Sequence, residues 1–281
     1  MAIVAFWSDE KKETGQTLSM VALTTYMAIE HNYKILNLST NFKDETLENC
    51  YWPIEKENLL IKQIAQDKGE VVGIESGIEG LVKIIKSNKT TSNIISNYSK
   101  TVFNNRLDVL CAPKTKVYSE YLEYAKMYPE ILNIASRSYD LIFVDISKNM
   151  DEQESNRILE LADVIIINIT QRLQIIDKYN VLREENPFFK NNNVLLNIGR
   201  YDKFSKYNIK NISRYLRLKK DALAVPYNTL FFESCSEGKV AEFFLRLRNA
   251  DDGDRNQTFI QEVSRMAKEV IYKLQELQIR M

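Results

Sequence analysis

Short apolar runs alternate with amphipathic stretches along most of the chain. Runs without polar alternation, such as Ala2–Trp7 and Val164–Ile169, are typical of strands covered on both faces. Five further strands are predicted, at residues 34–38, 106–111, 141–144, 194–198 and 222–225. Apolar positions spaced by three or four predict helices at residues 17–29, 80–85, 91–102, 119–136 (broken at Pro129), 156–161, 175–185, 209–216 and 257–281.

The order of these elements predicts an α/β fold. Strands that alternate with helices form a doubly wound, mostly parallel sheet with helices on both faces. We expect one domain over residues 1–250, with residues 251–281 forming an amphipathic C-terminal helix that packs on it. Ligands of such sheets bind at the carboxyl ends of the strands, so the segments that follow the strands are the candidates for chemistry.

Composition narrows the function classes. The 38 basic and 38 acidic side chains balance, which argues against a surface built wholly for nucleic acid or anionic lipid but allows a local basic patch. Three scattered cysteines and a single histidine, His31, make a zinc site, a disulfide framework or histidine-based catalysis improbable. No apolar run reaches about 18 residues, so we expect a cytoplasmic protein without a membrane span.

Glycine is scarce, yet the loop after the first strand lies where phosphate loops lie. The chain has 8 glycines, whereas about twenty are expected for its length. A strand, a loop and a helix N-terminus form a phosphate cradle. Of the pattern GxxxxGK[ST], only Gly15 and Thr17 are present, and Gln16 replaces the lysine. From the pattern alone, the favoured interpretation is that Gly15 is a turn residue and Thr17 a helix cap.

The same segment resembles the deviant Walker A motif, KGGxGKT, of the ParA/MinD ATPases. The alignment places Lys11 at the signature lysine and Gly15 at the last glycine. Five further segments follow in the family's order. Residues 139–145 resemble the Walker B strand, 106–113 the LxVLPAP strand, 162–168 the ADxVIIV strand, and 194–197 with 225–227 the strand and loop around the base. The resemblance spans residues 1–250 and implies a P-loop NTPase-like fold.

The resemblance also implies ligands and site residues. ATP and Mg²⁺ would be the cofactors, with Thr17 and Asp145 at the metal and Lys11 and Asp145 as the catalytic residues. The implied nucleotide-binding residues are Lys11, Lys12, Glu13, Thr14, Gly15, Gln16, Thr17, Leu18, Asn197, Arg200, Pro226 and Tyr227. In this family the signature lysine reaches across a nucleotide-sandwich homodimer.

Departures from the family pattern weaken the expected catalysis. Ser39 and Asn41 stand where relatives have aspartates, and Glu13 brings negative charge towards a triphosphate. The resemblance therefore implies a nucleotide-dependent, dimerising protein that positions or partitions a cellular complex, with weak or absent ATP hydrolysis. The alternative is a pseudo-ATPase that acts as a nucleotide-independent assembly scaffold with a protein partner.

Two surfaces suggest where such a protein would act. The C-terminal helix could lie on a membrane, but its mixed charge favours packing against the domain or another subunit. A basic region from Arg200 to Lys220 could bind DNA without sequence preference, or could simply be a solvated helix face. The sequence leaves DNA and peripheral membrane contact open as alternatives.

Overall fold

A computed structural model describes residues 1–10, 14–53, 77–88, 91, 93–190, 193–248 and 253–279. The strands are β1 (Ala2–Trp7), β2 (Ile35–Ser39), β3 (Lys100–Phe103), β4 (Leu107–Leu110), β5 (Leu141–Asp145), β6 (Val164–Ile169), β7 (Val194–Tyr201) and β8 (Leu223–Pro226). The helices of the first half are α1 (Gln16–Glu30), α2 (Thr46–Asn49), α3 (Ile78–Lys86), α4 (Ile94–Tyr98), α5 (Tyr118–Ala125) and α6 (Tyr128–Ala135). Those of the second half are α7 (Glu152–Leu161), α8 (Leu173–Glu185), α9 (Ile209–Tyr215), α10 (Thr229–Glu237), α11 (Val240–Leu247) and α12 (Gln257–Ile279).

The eight strands form one sheet in the order β3-β4-β2-β5-β1-β6-β7-β8. All neighbours are parallel except β3, which runs antiparallel to β4. The predicted doubly wound α/β architecture is confirmed. β1 lies between β5 and β6, so the chain winds outwards in both directions from this strand. The crevice at the carboxyl end of β1 is therefore the topological switch point, where sheets of this kind bind ligands.

Helices cover both faces of the sheet, because the strands are apolar on both sides. On one face Ile3 and Ala5 of β1 belong to a core that includes residues of α3 to α9. On the other face Val4 and Phe6 belong to a second core, built with α1, α2 and the three C-terminal helices. These two layers hold the carboxyl ends of the central strands in fixed register.

The C-terminal helix α12 has its apolar stripe covered within the domain. It packs along β8 and α1, and Val263, Met266 and Val270 are fully buried. Phe259 belongs to an aromatic cluster, in which its ring centroid lies 4.8 Å from the ring centroid of Phe231. No helix among the described residues has both the length and the apolar character needed to cross a bilayer.

The structure corrects one predicted helix and moves the predicted break within a second one. Residues 91–102 were predicted as one helix, but α4 ends at Tyr98 and β3 begins at Lys100. The β-branched and aromatic residues of β3 pair with β4 through a tight turn in which Asn105 has φ of 57°. Pro129 lies in the first turn of α6, where its missing N–H is tolerated, so the break precedes it.

Candidate functional site

The loop after β1 leads directly into the N-terminus of α1. Gly15 precedes the helix in the left-handed conformation, with φ of 70°, which glycine adopts without strain. The first helical hydrogen bond runs from the Ser19 N–H to the Gly15 carbonyl at 2.8 Å. Leu18 lies in this first turn and is half-buried. Lys11, Lys12 and Glu13 lie outside the described residues, so their predicted roles stay predictions.

Charged side chains anchor the start of this loop. Asp9 accepts ion pairs from Lys148 and Lys178, both at 2.5 Å, and Lys178 also reaches Glu10 at 3.0 Å. Burial acts to raise the pKa of Asp9, but the two lysines outweigh it and hold the pKa below its ordinary value. Sequence reasoning did not identify these pairs, because the lysines are more than 130 residues away and in no motif. These ion pairs therefore fix the position of Asp9 and Glu10 where the chain leaves β1.

Asp145 ends β5 directly beside this helix N-terminus. It pairs in register with Phe6 of β1 and with Ser39 of β2, and its side chain is fully buried. The Thr17 hydroxyl donates a 2.7 Å hydrogen bond to Oδ2 of Asp145. The predicted metal pair, Thr17 and Asp145, is thus brought into contact by the fold.

Two amides complete the surroundings of the carboxylate. The Gln16 amide donates to Oδ1 of Asp145 at 2.7 Å and to the Ile146 carbonyl at 2.9 Å. The Asn41 amide donates to Oδ2 of Asp145 at 2.8 Å and to the Ser39 hydroxyl at 3.1 Å. Both residues replace charged groups of the family pattern. In this chain they bind Asp145 as neutral donors.

Burial dominates the electrostatics of Asp145. Desolvation raises the pKa of Asp145 above its ordinary value, and the hydrogen bonds from Thr17 and Gln16 oppose that rise in part. The nearby carboxylate of Asp44 raises the pKa further. The negative charge is therefore stabilised by neutral dipoles, which is weaker than stabilisation by a lysine or a metal ion.

The donor set fits Mg²⁺ poorly. A hydroxyl and a carboxylate are ordinary ligands of Mg²⁺, and Thr17 and Asp145 supply one of each. Both oxygens of Asp145, however, already accept hydrogen bonds from protein donors. A cation bound directly to Asp145 would compete with these donors, among them the amides of Gln16 and Asn41. Nowhere in the described residues do three or more His, Cys, Asp or Glu side chains cluster as metal ligands.

The end of β7 closes against the loop through a glycine that sequence reasoning missed. A Cβ added at Gly199 would lie 2.0 Å from the Thr14 carbonyl oxygen and 3.1 Å from the Thr14 carbonyl carbon. The next residue, Arg200, has φ of 53°, and its Cγ would lie 3.2 Å from a Cβ added at Gly15. The chain has only 8 glycines, so the presence of one directly after the predicted strand 194–198 was the available signal. The structure thus brings Thr14, Gly15 and Arg200 together.

The residues predicted around the base are more dispersed. Asn197 is fully buried in β7, where its amide donates to Oδ1 of Asn168 on β6 at 2.7 Å. Oδ1 of Asn197 has no partner within the described residues. Pro226 is half-buried at the end of β8, and Tyr227 is 53% exposed beside Phe232. Contact of Asn197, Pro226 and Tyr227 with an adenine ring stays a prediction.

Solved structures share this architecture across nearly the whole chain. The ParA family ATPase from Chlorobium tepidum TLS superposes with a TM-score of 0.65 at 16% identity, covering 93% of this chain and 97% of that one. The fold is that of the ParA/MinD ATPases. The cell division ATPase MinD of Pyrococcus furiosus shares the ParA/MinD fold with a TM-score of 0.62 at 12% identity, over 95% and 98% of the two chains.

A putative plasmid partition protein of Borrelia burgdorferi B31, bound to AMPPNP, has the same ParA/MinD fold. Its TM-score is 0.58 at 18% identity, over 97% of this chain and 98% of that one. Neither a protein-family model nor a curated protein sequence matches the chain. The similarity to the ParA/MinD fold therefore lies in the three-dimensional structure and in the few motif residues named above.

Proposed function

We propose that this protein is a nucleotide-dependent, dimerising protein that positions or partitions a cellular complex. The observation that carries the proposal is the Thr17–Asp145 hydrogen bond, which joins the phosphate-type loop after β1 to the end of β5 at the switch point of a ParA/MinD fold. The neighbouring solved structures include a ParA family ATPase, a cell division ATPase and a putative plasmid partition protein bound to AMPPNP.

Slow or absent ATP hydrolysis is part of the proposal. Gln16 offers an amide in place of a lysine, and Ser39 and Asn41 offer no carboxylate to orient water or metal. Replacing one charge-assisted contact to phosphate by a neutral one lowers the stabilisation by about 1–2 kcal/mol. Several such losses together would favour binding and assembly over turnover.

The same comparison supports a homodimer and a protein partner as parts of the proposal. In the proposed homodimer, Lys11 would contact the phosphates held by the partner subunit, and Asp145 would act as an orienting group. The MinD of Aquifex aeolicus has been solved in complex with MinC, which is an example of a partner protein bound to this fold. ATP would serve in this chain as the ligand that controls assembly.

Isothermal titration with ATP tests the proposal. We expect measurable binding, weakened by about tenfold or more in Lys11→Ala, because a charge-assisted contact is lost. Lys86→Ala changes an exposed lysine on α3 and serves as the matched control, with unchanged affinity expected. Sedimentation velocity should show a larger dimer fraction with ATP than without it. Equal affinity in the two variants would contradict the role of Lys11.

One observation favours the alternative, a nucleotide-independent scaffold. Both N–H groups of the Gln16 amide and both oxygens of Asp145 are satisfied by the protein itself. A site closed in this way needs no ligand for stability. No heat on titration with millimolar ATP, together with a dimer fraction that ATP does not change, would establish the scaffold and exclude the nucleotide-dependent function.

Magnesium dependence gives a separate prediction. Because Gln16, Thr17 and Asn41 already donate hydrogen bonds to the oxygens of Asp145, we expect the affinity for ATP to change less than about threefold between MgCl₂ and EDTA. Asn41→Asp adds a second carboxylate beside Asp145 and should raise the magnesium dependence about tenfold. Asn133→Asp makes the same charge change at an exposed position of α6 and is the matched control. A wild-type protein that binds ATP only with Mg²⁺ would refute the prediction.

A further inference from the structure

Positive charge is concentrated in one segment of an otherwise acidic protein. Residues 200–220 contain eight cations and one carboxylate, a net charge of +7, so the other 260 residues carry −7. The eight cations are Arg200, Lys203, Lys206, Lys210, Arg214, Arg217, Lys219 and Lys220, and all are exposed. Across the described part of the chain, Lys220 alone among them forms a salt bridge, to Glu269 at 3.1 Å. The segment is therefore a solvent-facing basic surface.

The fold spreads these cations over the end of β7, the loop before α9, α9 itself and the segment between α9 and β8. Ile212 and Leu216 are buried against the sheet, which turns the opposite side of α9 to solvent. Lys210 and Arg214 lie one turn apart on that exposed side. Lys203 and Lys206 lie in the loop between β7 and α9. These four parts of the chain together form what we call the basic face, residues 200–220.

At the tip of this loop Phe204 projects into solvent. It is 85% exposed, the largest fraction among the exposed large hydrophobic residues of the described chain. The Nζ of Lys203 lies 5.2 Å from its ring centroid. A single exposed phenylalanine is ordinary in itself. Phe204, however, lies between Lys203 and Lys206 on the basic face, so the protein presents an apolar ring together with positive charge.

Hydrogen bonds hold the loop that presents Phe204. The Gln171 side chain accepts from the Asp202 N–H at 2.7 Å and donates to the carbonyls of Asp202 and Tyr207 at 2.9 and 2.8 Å. Oδ1 of Asp202 accepts from the Phe204 N–H at 2.9 Å, so the one carboxylate of the segment is used inside the loop. The exposure of the phenyl ring is thus built into an ordered turn.

We propose that the basic face docks on an anionic lipid bilayer, with Phe204 entering the boundary between headgroups and acyl chains. A bilayer offers lipid phosphates to the cations and an apolar layer to the ring, whereas a DNA duplex offers phosphates without an accessible apolar layer. The apolar stripe of α12 is covered by β8 and α1, so that helix is not the contact. Membrane binding by the basic face does not require the proposed function. The inference rests on that function only in taking the bilayer as the surface on which positioning would occur.

Vesicle co-sedimentation without nucleotide tests the proposal independently of ATP binding. We expect binding to vesicles of phosphatidylcholine and phosphatidylglycerol at 7:3, and none to phosphatidylcholine alone. Phe204→Ser should reduce the bound fraction about fivefold, and Lys203→Glu with Lys206→Glu about tenfold or more. Leu245→Ser removes another half-exposed apolar side chain, on α11, and Lys86→Glu makes a charge change elsewhere; both should bind like wild type.

Phe204→Trp reports the depth of the ring directly. With the signal of Trp7 and Trp52 subtracted, its emission should shift to the blue and be quenched by brominated acyl chains in the anionic vesicles. Vesicle binding without quenching would overturn the proposal, as would binding that Phe204→Ser leaves unchanged. The proposal also fails if vesicles do not bind while duplex DNA binds with a steep salt dependence that Lys203→Glu with Lys206→Glu abolishes. Absence of ATP binding would refute the proposed function and leave these outcomes unaffected.

Discussion

Gly199→Ala is expected to lower the free energy of unfolding by about 2–4 kcal/mol. The added methyl group would lie 2.0 Å from the Thr14 carbonyl oxygen, which is a backbone atom and cannot rotate away as a flexible side chain could. Either β7 or the loop before α1 must move. Thermal unfolding followed by circular dichroism measures the loss. ATP binding, measured on the fraction that remains folded, should weaken as well, because Thr14 and Gly15 are displaced.

Gly253→Ala is the matched control for this substitution. No atom lies within 4 Å of a Cβ at Gly253, so its unfolding free energy should stay within about 0.5 kcal/mol of wild type. If Gly199→Ala melts at the temperature of Gly253→Ala, the close packing of β7 on the loop is not a feature of the folded protein in solution.

Asp145→Ala is the second substitution with a large expected effect. It leaves the donors of Gln16, Thr17 and Asn41 without their buried acceptor. Relief of the buried charge offsets part of that loss, so the net destabilisation should be about 2–4 kcal/mol. Urea unfolding measures it. Asp140→Ala is the comparison variant. Asp140 is exposed, directly precedes β5 at its other end, and its side chain accepts a hydrogen bond from the Lys34 N–H.

The pH dependence of stability tests the charge state of Asp145. Its folded pKa is raised above the ordinary value of 3.8, so between these two values the folded protein binds more protons than the unfolded chain. The contribution of Asp145 to the free energy of unfolding should therefore fall as pH rises through this window. Asp145→Asn should remove that slope. A contribution that instead grows with pH would mean that the three donors outweigh burial.

The surroundings of Asp145 were predicted in part. The family resemblance implied that Thr17 and Asp145 lie at one metal ion, and the structure joins their side chains by a 2.7 Å hydrogen bond, while the metal itself stays a prediction. Ser39 and Asn41 were expected to supply no carboxylate, and the structure adds that Asn41 binds Asp145. The use of Gln16 as a ligand of Asp145 was not predicted. A glutamine that replaces a lysine has no fixed direction until its neighbours are placed.

The edge of the sheet shows why one element was mispredicted. Residues 100–103 carry no periodicity that separates a strand from the end of a helix, and a strand of four residues gains its stability from pairing. Residues 100–103 form a strand because β4 follows after a tight turn and pairs with them in the antiparallel direction. Gly199 also depends on tertiary structure. A side chain is excluded at this position because the Thr14 carbonyl, distant in sequence, packs against it.

The sequence by itself determined the doubly wound α/β sheet, because burial on both faces imposes continuous apolar runs and helices impose their own spacing, and both are local patterns. It also placed the phosphate-type loop and Asp145 at the correct strand ends. Only the tertiary structure decided how the loop is used. Gln16 and Asp145 are 129 residues apart, and their hydrogen bond exists because β1 and β5 are neighbours in the sheet. The covered stripe of α12 and the exposed ring of Phe204 were decided in the same way, since exposure depends on what the rest of the chain packs against.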